Sequence, residues 1–587
     1  MQSEKRQIID EQIQAATDPG RLLILRSSRN ALAPVSRLPE AILTTIFLLL
    51  RRNSTFVHDL DDLTWLHVTH VCRSWRQAAL DCALLWTDIL FDPPDWAAEM
   101  LRRSKSAPLS VDISLEPHAA VSKLDAACLA LTRVSHIRTL HLELAASDYT
   151  ERIIHLLRTQ SADVLEHLSI QCSDDTWQRD PEEIVQSRGI CELPVDIFGK
   201  VAPRLQRLEL RLCQVSWNNF LFDNLTFLSL EIVPSSSRSS MPQFLDFLRR
   251  MKGLKNLHIT DAIPLRGPFV KTLPPPIAEQ PLVVLPHLST LYVYECALEC
   301  GDLMRYMVLP RVTRVVLVGT HRWSRPASLP CSAIPFTDAI PSLHSKRMQE
   351  YPYHPARLFV RQHFPSLGQR FTCLPVATTS QAGDVSFITE LRWDSDRTHD
   401  SDDVLSQCTA RLILASPLDR IQSVTFLSYF FMDSQAWILV LEHLAEVQEL
   451  HLTGACVYGF AQALRTLHTP SRDNIPLPKL STLTISNAQL SYPLGSGQLF
   501  VALRDALLSR ALSYGLSIKL AFTKCHITAG QLEELEAACI HPIECNGEPD
   551  TFGIGEIQDD GSDFEESDEG GEDTHADIGD ETDGSDA

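Results

Sequence analysis

The chain has 587 residues, a length that predicts two or more domains or a long repeat array, and its apolar content of 44% is ordinary for a folded protein. The formal net charge of −22 is concentrated at one end: residues 556–587 carry 15 acidic and no basic side chains, which leaves −7 for the remainder. No clustered basic face is indicated, so the composition argues against nucleic acid as a partner.

The 15 cysteines are scattered and include no C-x-x-C pair. The first 20 residues are polar and contain no secretory apolar segment. Together these features predict a reduced protein of the cytoplasm, the nucleus or both, and not a secreted one.

Residues 1–33 are predicted to form a helical or linker segment. Ile8, Ile9 and Ile13 have the spacing of a short amphipathic helix, and Asp18-Pro19-Gly20 interrupts it.

Residues 34–95 are predicted to form a compact helical unit. Ser36 is a candidate cap for a helix that contains Pro39 and Glu40 and then the apolar run Ile46 to Leu50. A membrane span is excluded by length, because about 20 apolar residues are needed and this run is closed after Leu50 by Arg51-Arg52. The apolar side chains cover more of the helix than one buried stripe requires, which predicts a surface that docks on another protein.

A second apolar run follows, "DLTWLHVTHVCRSWRQAALDCALLW". The pair of segments "LPEAILTTIF" and "VCRSW", closed by Leu85-Trp86, resembles the F-box family, and the lead-in resembles that of fungal F-box-like proteins. The resemblance implies contact with a Skp-type adaptor. The residues that it assigns to this docking unit are Leu38, Pro39, Ile42, Leu43, Ile46, Phe47, Leu66, Val71, Cys72, Trp75 and Trp86.

The sequence leaves open which of these side chains contact a partner and which pack inside the unit. The resemblance implies that the protein is a substrate-recognition subunit of a cullin–RING (SCF-type) ubiquitin ligase, with no catalytic activity of its own. The alternative is a non-catalytic scaffold that acts without ubiquitin transfer.

Residues 100–550 contain a recurring unit, L-x-x-L-x-L, in which alternation predicts a short strand with one buried face. Helix-like spans separate the units, and strand plus helix at this period is typical of a leucine-rich-repeat solenoid. The fold class predicted is therefore α/β, with a small all-α head followed by an irregular solenoid. The units begin at residues 137, 165, 205, 225, 254, 288, 312, 388, 421, 447, 480 and 518.

Three units extend to a cysteine, Cys213, Cys296 and Cys525, at a position where leucine-rich repeats bury Asn or Cys against loop backbone. The longest interruption, residues 320–387, is predicted to be a substrate-contacting excursion or a disordered loop. The acidic segment 556–587 is predicted to be a disordered tail.

Catalytic, cofactor and metal sites are not predicted. Cys296-x-x-x-Cys300 lacks a second pair, and His67-x-x-His70 lies in the apolar helical unit, so packing explains both better than metal binding. Phosphate-binding glycine loops and a nucleophile elbow are also absent from the sequence.

Overall fold

The computed structural model describes most of the chain between residues 2 and 546. The described ranges are 2–54, 63–116, 119–145, 148–173, 191–265, 281–310, 314–320, 336–339, 357–361, 371–379, 385–394, 402–416, 418, 420–427, 432–467, 476–490, 493–494, 497–515, 517–538 and 542–546. The predicted acidic tail, 556–587, lies outside them.

Five helices form the N-terminal part. They are α1 (Gln2–Ala15), α2 (Pro19–Ala31), α3 (Glu40–Ser54), α4 (Val68–Val71) and α5 (Arg73–Asp81). The Asp18 carboxylate accepts a hydrogen bond from the Arg21 amide (2.7 Å), which explains why α2 begins at the predicted interruption. The predicted cap at Ser36 is wrong: α3 begins at Glu40, and Ser36 lies in a preceding 3-10 turn, where its hydroxyl donates to the Asn30 carbonyl (2.5 Å).

The described residues that follow include twenty-three strands. They are β1 (Asp88–Ile89), β2 (Leu109–Leu115), β3 (Ile137–Ala145), β4 (His167–Ser173), β5 (Cys191–Leu193), β6 (Arg207–Arg211), β7 (Cys213–Val215), β8 (Phe227–Glu231), β9 (Asn256–Thr260), β10 (Val283–Val284), β11 (Thr290–Cys296), β12 (Met307–Val308), β13 (Arg314–Thr320), β14 (Arg357–Arg361), β15 (Phe371–Thr379), β16 (Val385–Asp394), β17 (Ser423–Leu427), β18 (Glu449–Thr453), β19 (Thr482–Ser486), β20 (Pro493–Leu494), β21 (Gly497–Gln498), β22 (Lys519–Thr523) and β23 (Glu544–Asn546).

Among the described residues, helices of eight residues or more alternate with these strands. They are α6 (Asp95–Arg103), α7 (Val121–Leu131), α8 (Asp148–Arg158), α9 (Met241–Arg250), α10 (Ala297–Met304), α11 (Asp402–Ala415), α12 (Ser434–Leu441), α13 (Cys456–Leu467), α14 (Leu499–Tyr514) and α15 (Ala529–Ala538).

Seventeen of the strands form one sheet. From β1 to β13 the strands of this sheet pair in parallel in chain order, and the same pattern resumes from β17 to β23. Every one of the twelve L-x-x-L-x-L-like units carries a strand of this sheet.

The leucines of neighbouring units are in register. Leu208, Leu228, Leu257 and Leu291 are direct partners on four adjacent strands, and all four are buried. Because side chains alternate across a strand, this register forms a continuous apolar row on one face and leaves the other face to polar residues.

The long interruption contributes to the sheet. Within residues 320–387, β14 and β15 are antiparallel partners, and β15 also pairs antiparallel with β16. Sequence reasoning did not anticipate these strands, although the segments "RLFVR" and "FTCLPVATT" contain the β-branched and aromatic residues that strands favour.

The helical N-terminal part and the sheet share one hydrophobic core. Buried apolar side chains form a single cluster that extends from Leu43 in α3 to Leu535 in α15. In addition, β1 follows the last turn of the helical part directly and pairs in parallel with β2. The helical part is therefore packed against the end of the sheet.

Candidate protein-docking surface

Helix α3 has two apolar faces. Leu43, Phe47 and Arg51 follow one another at four-residue spacing and are buried; we call them the inner stripe. Ile42, Ile46, Leu49 and Leu50 form the outer stripe, which spans about 100° of the helix circumference. Ile42 is 47% exposed, Leu49 54% and Leu50 46%, while Ile46 is half-buried.

Aromatic side chains pack under the inner stripe. The ring centroid of Phe47 lies 5.1 Å from that of Trp75, and Trp65 meets Trp86 edge to face at 5.3 Å. Trp86 is fully buried, and its indole N–H donates to the Ala79 carbonyl (2.9 Å). These aromatic side chains belong to the core that the helical unit shares with the sheet, and the outer stripe is not part of that core.

Arg51 holds the end of α3 against the last turn of the unit. Its guanidinium donates to the carbonyls of Leu84 (3.2 Å) and Leu85, and it forms an ion pair with the Asp88 carboxylate (2.7 Å). Burial lowers the pKa of Arg51, and the charge of Asp88 opposes this shift. In the sequence Arg51 marks only the end of an apolar run; in the structure it is a buried polar contact between two segments.

The residues that the sequence predicted for docking fall into three groups. Those exposed to solvent are Leu38, Pro39, Ile42 and Val71; those half-buried are Ile46, Leu66, Cys72 and Trp75; and those buried by this chain are Leu43, Phe47 and Trp86. The buried group lies in the core, where it supports the surface rather than forming it.

Three exposed leucines were not among the predicted docking residues: Leu49, Leu50 and Leu84. The first two share the helical phase of Ile42 and Ile46, so a helical projection of residues 40–54 would have identified them. Leu84 follows α5 in a 3-10 turn and has no comparable periodic signal.

A second candidate surface is the polar face of the sheet between β2 and β11, which we call the strand face. Its side chains interact across strands, His141 with Asp112 (3.2 Å) and His167 with Glu209 (3.2 Å), and within β6, where Arg207 contacts Glu209 (2.5 Å). The hydrogen bond from His167, together with that from Arg207, lowers the pKa of Glu209 to about 2. Glu209 is therefore charged at neutral pH and lies beside two basic side chains.

The strand face also contains aromatic rings. The guanidinium of Arg207 lies 3.6 Å from the ring centroid of Phe227, and the His258 ring lies 5.1 Å from Phe227 and 5.8 Å from Tyr292. These side chains come from neighbouring parallel strands. Arg207 is exposed and the three rings are half-buried, so charged and aromatic groups are both accessible to a bound macromolecule.

The Cys296/Cys300 and His67/His70 motifs do not belong to a metal-ligand cluster in the described residues. In the part of the chain that the structure describes, one group of at least three His, Cys, Asp or Glu side chains could hold an ion, and it consists of Cys172, Cys191 and Cys213. Cys296 and Cys300 are both buried.

Two of the extended cysteine positions contact main-chain carbonyl oxygens, which belong to strand residues and not to the loops that the sequence predicted. The Cys213 sulfur lies 3.3 Å from the Arg211 carbonyl oxygen and 3.5 Å from that of Ile170; the Cys525 sulfur lies 3.5 Å from the Thr523 oxygen and 3.3 Å from that of Ile485.

Among the described helices, none combines the length and the hydrophobicity that crossing a bilayer requires. Residues 35–92 match the model of the F-box-like family, and this span contains both stripes of α3 and the aromatic core beneath them. The chain therefore contains an F-box-like domain. No curated protein matches the chain.

Proposed function

We propose that the protein is a non-catalytic substrate receptor of an SCF-type ubiquitin ligase. The F-box-like domain would dock on a Skp-type adaptor through the outer stripe, and the sheet would bind a target protein. The observation that carries the proposal is an F-box-like domain whose first long helix keeps Ile42, Leu49 and Leu50 exposed although its core is complete without them.

We further propose that the strand-and-helix array is an irregular leucine-rich-repeat solenoid and that the strand face contacts the target. Parallel pairing in chain order and the in-register leucine rows support the first part. Support for the second part is the set of accessible charged and aromatic groups that seven adjacent strands bring together. Activity would arise from proximity, because the receptor raises the concentration of the target next to an active centre carried by other chains.

Co-purification of the full chain with a Skp-type adaptor and a cullin tests the proposal. The variant Ile42→Asp/Leu50→Asp changes only exposed side chains of α3, so we expect it to fold like the wild type. Burying a carboxylate in an interface centre costs about 2 kcal/mol or more, so we expect adaptor binding to weaken at least ~30-fold. Phe47 is unsuitable for this test because its substitution would damage the core.

Leu512→Asp is the matched control, since Leu512 is 83% exposed on α14, far along the chain from the F-box-like domain. The control should bind adaptor and cullin as the wild type does. If the wild type binds the adaptor but never the cullin, the scaffold alternative replaces the receptor; if it binds neither, the docking proposal is refuted.

A further inference from the structure

Three cysteines from separate strands meet inside the array. Cys172 is in β4, Cys191 in β5 and Cys213 in β7, and their sulfur atoms all lie within 4.8 Å of one another. Cys191 and Cys213 are direct partners in a parallel two-stranded ladder, which places both side chains on the same side. All three are buried, with 1–2% of their surface exposed.

Contacts with the backbone account for the burial of only one of these thiols, that of Cys213. Cys213 satisfies the turn by contacting two carbonyl oxygens, and Cys525 forms the equivalent two contacts at the equivalent position of a later unit. In the later unit a group of three thiols is not formed within the described residues. Cys172 and Cys191 are therefore not required by the turn itself.

The spacing of the sulfur atoms fits a metal centre. Metal–thiolate bonds of about 2.3 Å place the sulfurs of one centre about 4 Å apart, so small side-chain rotations would close the cluster on one ion.

We propose that Cys172, Cys191 and Cys213 bind one thiophilic d¹⁰ metal ion, Zn²⁺ or Cu⁺. Soft thiolate ligands select these ions over Mg²⁺ or Ca²⁺. Each of the three thiols binds as a thiolate and gives up its proton to solvent, and no oxidation is involved. The ion would join β4 to the β5–β7 ladder and fix residue 191 after the long segment that separates it from Cys172. This site is independent of the adaptor-docking proposal.

The test uses the reduced, metal-free full chain, titrated separately with Zn²⁺ and with Cu⁺ under reducing conditions. We expect saturation at about one ion per chain, with thiolate-to-metal charge-transfer absorption for Cu⁺, and the two arms show which ion the site retains against a competing chelator. The metal content of the protein as purified, measured by mass spectrometry, gives a second readout.

Cys172→Ser, Cys191→Ser and Cys213→Ser should each weaken binding at least ~10-fold, because each removes one of three ligands. Cys456→Ser is the control: Cys456 is equally buried and contacts the Thr453 carbonyl oxygen (3.3 Å), but it lies outside the cluster.

If the wild type binds neither ion with saturation, or if peptide mapping of the unreduced protein finds a disulfide between two of the three cysteines, the proposal is wrong. Since both measurements use the wild type, they decide the question even where a serine variant fails to fold.

Discussion

The F-box-like domain and the strand face arrange apolar and charged groups in opposite ways. In the domain, α3 turns Ile42, Leu49 and Leu50 outward and Arg51 inward. On the strand face, leucines such as Leu208 point inward, while Arg207 and Glu209 remain accessible to solvent. The first arrangement suits a permanent apolar contact, and the second suits selective recognition by charge and shape.

The contrast also predicts which substitutions lower the free energy of unfolding most. A buried polar contact is costly to break, whereas an ion pair in solvent contributes little. Substitutions of buried residues in the F-box-like domain should therefore lower the free energy of unfolding strongly, and substitutions on the strand face should lower it weakly.

The largest effect is expected at Trp86, which joins the F-box-like domain to the array. Its ring packs on Trp65 and under the Arg103 guanidinium of α6 (4.2 Å), so Trp86→Ala leaves a large cavity at the junction. We expect the free energy of unfolding to fall by about 3–5 kcal/mol, measured by urea denaturation. Leu512→Ala, at an exposed position, should change it by about 0.5 kcal/mol or less. Equal effects of the two substitutions would contradict the shared core.

An intermediate effect is expected at Arg51. Arg51→Lys keeps the charge, but an ammonium group cannot reach the Leu84 and Leu85 carbonyls and Asp88 together. We expect a loss of about 1–3 kcal/mol, because a buried acceptor is left without its donor. The measurement is thermal unfolding of the full chain. A lysine variant as stable as the wild type would show that Arg51 is not a structural contact.

A smaller effect is expected on the strand face at Arg207. Arg207→Ala removes a half-exposed ion pair with Glu209 and the stacking on Phe227. Such contacts contribute about 1 kcal/mol or less each. A loss as large as that of Trp86→Ala would erase the distinction between the two regions.

The smallest effect depends on pH. The hydrogen bond to Asp112 raises the pKa of His141 above its usual 6.5. A raised pKa means that the folded state favours the protonated ring, so this contribution is complete below about pH 6.5 and disappears as the pH rises through the folded pKa. The destabilisation caused by His141→Gln should therefore be larger at about pH 6 than at about pH 8, and below about 1 kcal/mol, because the pair is partly exposed. His155→Gln, an exposed control on α8, should show a smaller pH dependence.

The sequence predicted elements better than it predicted contacts. The leucine units located twelve strands of the sheet, because burial on one face imposes a period of two that survives irregular spacing. The strands β14 and β15 were missed because they lack that leucine pattern.

At the candidate docking surface, the sequence identified the apolar residues but not which of them face solvent. Leu43 and Leu50 are chemically the same, and only the helical phase and the position of the aromatic core decide which one is buried. The cysteine cluster was missed for a related reason: residues 172, 191 and 213 are far apart in sequence, and they meet because β5 pairs with β7 in a separate two-stranded ladder beside β4.

The antiparallel meander β14–β15–β16 has a geometric consequence for everything that follows it. Its three strands are stacked in reverse of chain order, with β16 beside β13 and β14 beside β17, and both outer contacts are parallel. The strand direction reverses twice, once at β16–β15 and once at β15–β14. An odd number of inserted strands that pair antiparallel with one another therefore returns the sheet to its original strand direction. An even number would have presented an opposing edge to β17. A parallel sheet can thus continue beyond an inserted antiparallel segment if that segment has an odd number of strands, whatever its length in residues.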